Sequence, residues 1–337
     1  MSNPVLVELT RGDLVESVHT GALAVARPNG ELLLSVGDIG KPIFPRSAIK
    51  SMQAIPVIET GAADRYSFGG QEIAISCASH SGTPAHADLS ASMLARAGLD
   101  VTALGCGAHD PIHELSAKEM FKAGKAPSAL HNNCSGKHSG MACTCAHCGD
   151  PVAGYLDINH PHQQRIAKVL HDFCGDGFDI KRYGIDGCSA PNWAIPLKPL
   201  AKAFAQIVTG DGLSATRRAT CERITAACMA HSDMVAGPGR MDTEAMTALG
   251  GKLFMKTGAE GVYCGGFPSL GIGFALKIDD GNKRASEAVT AGLIHRLLGT
   301  SEWPGTALGP FKNFKGTHVG DTRLAESARK AIEGLKQ

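Results

Sequence analysis

The chain carries almost no net charge, few aromatic residues and no long apolar run. Its 33 Lys plus Arg are balanced by 32 Asp plus Glu, a formal net charge of +1. With no excess of cations to neutralise phosphates, the electrostatic case for a nucleic-acid or membrane-surface protein falls away. The longest uncharged run near the C-terminus, Gly261 to Leu276, is broken by glycines, Pro268 and Ser269. It cannot span a bilayer, which needs about 18 or more apolar residues. The N-terminus, MSNPVLVELTRGD, lacks a basic start followed by an apolar block, so no secretory signal is expected.

What is present suits a soluble enzyme. There are 337 residues, 43% of them hydrophobic and 19% charged, a size at which single cores begin to split into two lobes. Eleven cysteines is a high and odd count. Without an export signal they read as reduced cytoplasmic thiols, some available for metal binding or catalysis. Only 5% of residues are aromatic, and 41 are Gly, which implies many tight turns.

Strand-like segments lie at both ends of the chain. Val5–Leu9, Gly21–Val25 and Glu31–Ser35 are apolar-rich, with Asn29-Gly30 as a hairpin signal. Leu253–Lys256, Gly261–Cys264 and Gly271–Ile278 follow late in the chain, punctuated by Gly and Pro. Between them, helical spacing covers Ser47–Thr60 (interrupted at Pro56), Ala85–Ala97, Ser116–Ala123, Gln163–Phe173, Leu200–Val208, Ser214–His231 and Thr243–Leu249. Helices are also expected over Arg284–Leu298 and from about Thr322 to Lys336. The layout predicts an α+β fold. Residues 1–45 and 250–337 would form an antiparallel sheet lobe with C-terminal helices. Residues 46–249 would form a mainly helical lobe carrying the serine and cysteine motifs.

Ser47-Ala48-Ile49-Lys50 is an S-x-x-K at the start of a predicted helix, so hydroxyl and amine share a face. A serine becomes a nucleophile when a base takes its proton, and a lysine serves if it is held neutral by burial or a nearby cation. Alone, such a motif is usually a solvated first turn. Here Lys256-Thr257-Gly258 ends a late predicted strand, and Ser79-His80-Ser81 lies between the two. That order of boxes is similar to the serine β-lactamases and penicillin-binding proteins. The middle box lacks their asparagine and follows Ser47 by only 32 positions. With no export signal, an amide hydrolase acting on a small cytoplasmic substrate is the expectation.

Two further polar blocks stand out, His131–Met141 (HNNCSGKHSGM) and Asp186–Pro191 (DGCSAP). Taken with Phe44–Ser51 and Lys256–Val262, they make the sequence resemble the rhizobial-type, or class 3, L-asparaginases, which have a serine β-lactamase/glutaminase-like fold. The resemblance runs from Val5 to about Leu298. It implies Ser47 as nucleophile with Lys50 as its base, and a second pair, Ser79 with Lys256, beside the first. It implies one zinc ion held by Cys134, Lys137 and Cys188 with a water, and a homodimer. His138 and Asp186 would support metal and substrate, with His80 and Asn133 as further substrate contacts. By position, Ala259 would lend a backbone N–H to the oxyanion. Charge complementarity suggests Arg46 for the substrate's α-carboxylate and Glu260 for its α-ammonium.

Two thiolates suit Zn²⁺, and three protein ligands plus solvent make an open site. Lysine is a rare ligand, so its place rests on the resemblance, and Cys134 and Cys188 read by themselves as buried thiols. Cys143-Thr144-Cys145-Ala146-His147-Cys148 has a more familiar metal-like spacing, but no second knuckle follows; these are expected to be surface thiols. His160-Pro161-His162 is expected to be a solvated loop. A Cys134–His138 nucleophile pair is chemically allowed but explains less of the sequence. The expected activity is hydrolysis of L-asparagine to L-aspartate and ammonia. A glutaminase or other small-amide hydrolase, or a non-catalytic amino-acid sensor, are the alternatives.

Overall fold

The structure, a computed structural model, describes residues 2–299, 305 and 307–335. The expected end of the last helix at Lys336 lies outside them. Its contacts divide the chain into two compact units. One comprises Met1–Ala48, Ile195–Thr209 and Met255–Gln337, and the other Ile49–Ala194 and Gly210–Phe254.

The first unit is built on an antiparallel sheet. Its strands are β1 (Val5–Arg11), β2 (Leu14–Ala26), β3 (Leu32–Val36), β6 (Phe254–Gly258), β7 (Val262–Phe267), β8 (Ile272–Ile278), β9 (Gly309–Lys312) and β10 (His318–Leu324); β4 (Tyr183–Ile185) and β5 (Pro191–Trp193) form a hairpin in the other unit. The order is β6-β7-β8-β2-β1-β10-β9, with β3 also on β2. The long β2 makes this possible, pairing with β1 through its first half and with β3 and β8 through its second. Both faces of β7 and β8 are buried, which an antiparallel sheet reaches only when each face is covered. The helices Leu197–Thr209 and Lys283–Leu298 pack against these strands. At Gly273 an added Cβ would come within 2.3 Å of Ala201 O and Ala205 N, so this glycine lets the first of those helices lie flat on β8.

Two expectations change here. Helix Leu197–Thr209 belongs to the sheet unit, although it comes from the middle of the chain. The segment at Thr322 is strand, not helix. Residues 322–324 pair with β1, and the last helix begins only at Glu326.

The second unit is mainly helical. The expected helix over Ser47–Thr60 is a 3-10 turn, Arg46–Ile49, followed by Lys50–Gln53 and Ile55–Glu59. It breaks near Pro56, whose missing N–H suits the first turn of a helix. The polar block at 131–141 contains a buried helix, Ser135–Cys148. Its glycines explain how polar residues came to lie in a core. A Cβ on Gly136 would meet Ile75 O at 2.4 Å, and one on Gly140 would meet Ser76 Oγ at 2.9 Å. One turn apart, they give the helix Gly70–Ser76 a bare face to approach.

The thiols of Cys143 and Cys145 are therefore core groups rather than surface ones, and burial pushes each up to about 12. Only Cys148 is half-buried. The His160–His162 segment is likewise not a solvated loop. His160 caps the helix Pro161–Cys174 through its side chain, and His162 is fully buried. No helix among the described residues is long and apolar enough to cross a membrane.

Candidate active site

In the helical unit the site forms around Lys50, the first residue of its helix and 1% exposed. Its Nζ donates to Ala78 O at 2.5 Å, Ser79 Oγ at 2.9 Å and Cys134 Sγ at 3.1 Å. Ser79 follows the helix Gly70–Ser76 in extended chain, held by its N–H to Val235 O. The next residue, His80, is fixed from both nitrogens. Nδ1 accepts from Gly82 N–H, so Nε2 carries the proton and donates to Ser135 Oγ at 2.9 Å. Ser135 in turn meets Ser90 Oγ. Burial, with His86 stacked on its face, drives His80 well below the usual imidazole range.

Cys134 and Cys188 come together although 54 residues separate them. Cys134 sits at the N-terminus of the helix Ser135–Cys148, its N–H on Asn132 Oδ1 and its sulfur 3.3 Å from Asn133 Oδ1. Cys188 lies in the tight 186–190 loop of the β4–β5 hairpin, where Ser189 N–H bonds Asp186 O and Asp186 Oδ1 accepts from Gly187 N–H. The two sulfurs lie within hydrogen-bond reach of each other. A hydrogen bond from Cys134 and the ammonium of Lys137 hold Cys188 far below the thiol range, while the same hydrogen bond raises Cys134 well above it. Lys137 Nζ donates to Cys188 Sγ at 3.1 Å. Burial disfavours its charge, but Cys188 and then Cys134 outweigh that and raise the amine above the ordinary lysine value.

His138 completes the cluster. Tyr155 Oη accepts from Gly105 N–H and donates to His138 Nδ1 at 2.5 Å, which leaves the imidazole proton on Nε2. That atom is buried without a hydrogen-bond partner among the described residues. Burial lowers His138 to about 4, against the pull of the neighbouring Cys188. His138 thus hydrogen-bonds Tyr155 and lies beside Cys188. Tyr155, in a loop and marked by no local pattern, is a site residue that sequence reasoning missed. So is His109, whose Nε2 accepts from Asn133 N–H at 3.0 Å.

In the sheet unit, Ser47 lies half-buried in the 3-10 turn, three residues before Lys50 along a continuous backbone. Its turn is closed by Ala48 N–H on Pro45 O. Strand β6 runs beside it: a Cβ on Gly258 would meet Pro45 O at 2.5 Å and Ala48 N at 3.3 Å. The glycine of Lys256-Thr257-Gly258 therefore brings that strand against the turn of Ser47. Lys256 is 1% exposed, and its Nζ donates to Thr257 O at 2.8 Å. Ala259 is exposed in the following turn.

Arg46 and Glu260 have left-handed backbones, φ 54° and 58°, which cost about 1–3 kcal/mol each in a non-glycine residue. Both line a cavity of about 380 Å³ that neither Ser47 nor Lys256 lines.

Comparison with known families defines the class: the protein is an amidohydrolase. The chain belongs to the L-asparaginase II family, whose model matches residues 7–324, nearly the whole chain. A search of curated proteins finds no match.

Proposed function

We propose that the protein hydrolyses the side-chain amide of L-asparagine through a serine acyl-enzyme, on a serine β-lactamase/glutaminase-like scaffold. The observation that supports this best is the buried Lys50 amine, 2.9 Å from Ser79 Oγ and one helical turn past Ser47. In this reading the neutral form of Lys50, which keeps two of its three N–H donors and frees a lone pair, accepts the Ser47 proton as the hydroxyl attacks the amide carbon. Backbone N–H groups at Ser47 and near Ala259 stabilise the oxyanion, worth about 3–4 kcal/mol per donor. Ser79, served by Lys50 and Lys256, passes a proton to the departing ammonia. Water then cleaves the aspartyl ester by the reverse route. His80, Asn133, His138 and Asp186 supply the polar wall against the substrate.

The residues present fit a zinc ion. Two sulfurs within hydrogen-bond reach of each other and an amine 3.1 Å from one of them form a compact donor set, beside a buried imidazole nitrogen with no hydrogen-bond partner among the described residues. No group of three His, Cys, Asp or Glu able to hold a metal occurs among the described residues, so the site depends on Lys137 as third donor. When bound there by Cys134, Lys137 and Cys188, zinc would supply fixed positive charge beside the serines. Binding would release protons from Cys134 and Lys137. A cytoplasmic homodimer completes the reading; its support is eleven free thiols and the resemblance to the class 3 enzymes.

The test is ammonia release from asparagine and glutamine side by side. Ser47→Ala should abolish it, and release at the unaltered rate would remove Ser47 from the mechanism. Glutamine, with one more methylene, should be disfavoured by about 1–3 kcal/mol; a preference for glutamine would recast the enzyme as a glutaminase.

A further inference from the structure

The cavity lined by Arg46 and Glu260 has a character that the hydrolytic reading leaves unused. It lies wholly within the sheet unit, between the 38–46 segment and the ends of β2 and β8. Three carboxylates (Asp38, Glu260, Asp279) and three cations (Lys41, Arg46, Lys277) face it. Three of these six groups are committed to hydrogen bonds within the unit. Asp38 caps the N–H groups of Gly40 and Lys41. Asp279 accepts from Asn3 Nδ2 and Thr20 Oγ1. Lys277 Nζ donates to Glu260 O and Ile278 O. Two are not: the Lys41 amine and the Glu260 carboxylate have no hydrogen bond or ion pair among the described residues.

A purely anionic ligand would meet three carboxylates here, and a purely cationic one three basic groups. A small zwitterion meets each with its opposite. At about 380 Å³ the cavity lies in the range of small-molecule sites, about 300–1,000 Å³. Two of the four non-glycine residues with left-handed backbones, Arg46 and Glu260, flank it. Strain of that kind persists where surrounding structure holds it, and it gathers at ligand clamps.

We infer that this cavity is a second binding site for a free α-amino acid, with its α-carboxylate toward Lys41 and Lys277 and its α-ammonium toward Glu260. The cavity abuts the nucleophile's turn, because Arg46, which lines it, is the first residue of that turn and directly precedes Ser47.

The test is equilibrium binding of L-aspartate to Ser47→Ala protein, with and without Lys41→Glu. Lys41 is exposed and makes no side-chain contact that the fold needs, and an unchanged melting temperature checks this. Two aspartates per chain are expected, falling to one in the double variant as one site weakens at least tenfold. A change from one to zero also supports the site, and would show that the hydrolytic pocket, not this cavity, had been misread. A stoichiometry that Lys41→Glu leaves unchanged, whether two, one or none, overturns the inference.

Discussion

Replacing Lys50 by methionine removes the amine while keeping the length and apolar stem of the side chain. Three acceptors lose their donor at once: Ala78 O, Ser79 Oγ and Cys134 Sγ, all on buried residues. An unsatisfied buried acceptor costs about 1–3 kcal/mol, so the three together predict a loss of about 3 kcal/mol or more of stability. That is several degrees in melting temperature for a protein of this size. The effect on turnover should be larger. A positioned base contributes about 10²–10⁴-fold, so kcat/KM for asparagine should fall at least a hundredfold, measured by ammonia release well below the melting temperature. Lys50→Arg separates charge from proton transfer, since a guanidinium keeps its hydrogen bonds but does not give up its proton near neutrality. It should remain as slow as Lys50→Met. A folded Lys50→Met enzyme within threefold of the unaltered kcat/KM would refute the assignment of Lys50 as base.

Three further outcomes follow from the same structure. Burial pushes His162 down to about 3, and neither ring nitrogen has a hydrogen-bond partner among the described residues. The unfolded chain therefore takes up a proton near pH 6.5 that the folded protein refuses, and stability falls as the pH drops from about 6.5 toward 3, by as much as about 4 kcal/mol. His162→Leu should flatten this acid limb in urea titrations, and an unchanged limb would mean that His162 is not its source. Elemental analysis of protein purified without added zinc should find about one zinc per chain. Cys134→Ser should lose it, whereas Cys145→Ala, in the core away from that cluster, should keep it; equal metal in all three would dismiss the site. Gly273→Ala should destabilise by about 1–3 kcal/mol in urea unfolding, because the new methyl must push the helix Leu197–Thr209 off β8; a neutral result would show that the close approach is not required.

The parts of the molecule legible in the sequence were those governed by local rules. Alternating apolar residues and turn signals placed β1–β3 and β6–β8, and helical spacing with caps placed most helices within a few residues. Pro56 marked its own break. The asparaginase family, too, could be read from short polar blocks around Ser47, Cys134, Cys188 and Lys256. The errors have a common physical origin. The block 131–141 is dense in polar residues and Cys143 and Cys145 look like surface thiols, and only the bare glycine face against Ile75 and Ser76 makes this stretch a core helix. His162 looks solvated until the rest of the unit closes over it. Thr322–Leu324 looks helical until β1 offers it a ladder of hydrogen bonds. Nor does spacing along the chain show that the Lys50 amine sits on Ser79 and on Cys134. Secondary structure follows from neighbours a few residues away. Which amine meets which hydroxyl, and which sulfur keeps the proton, depends on groups brought together from distant segments, and only their packing decides it.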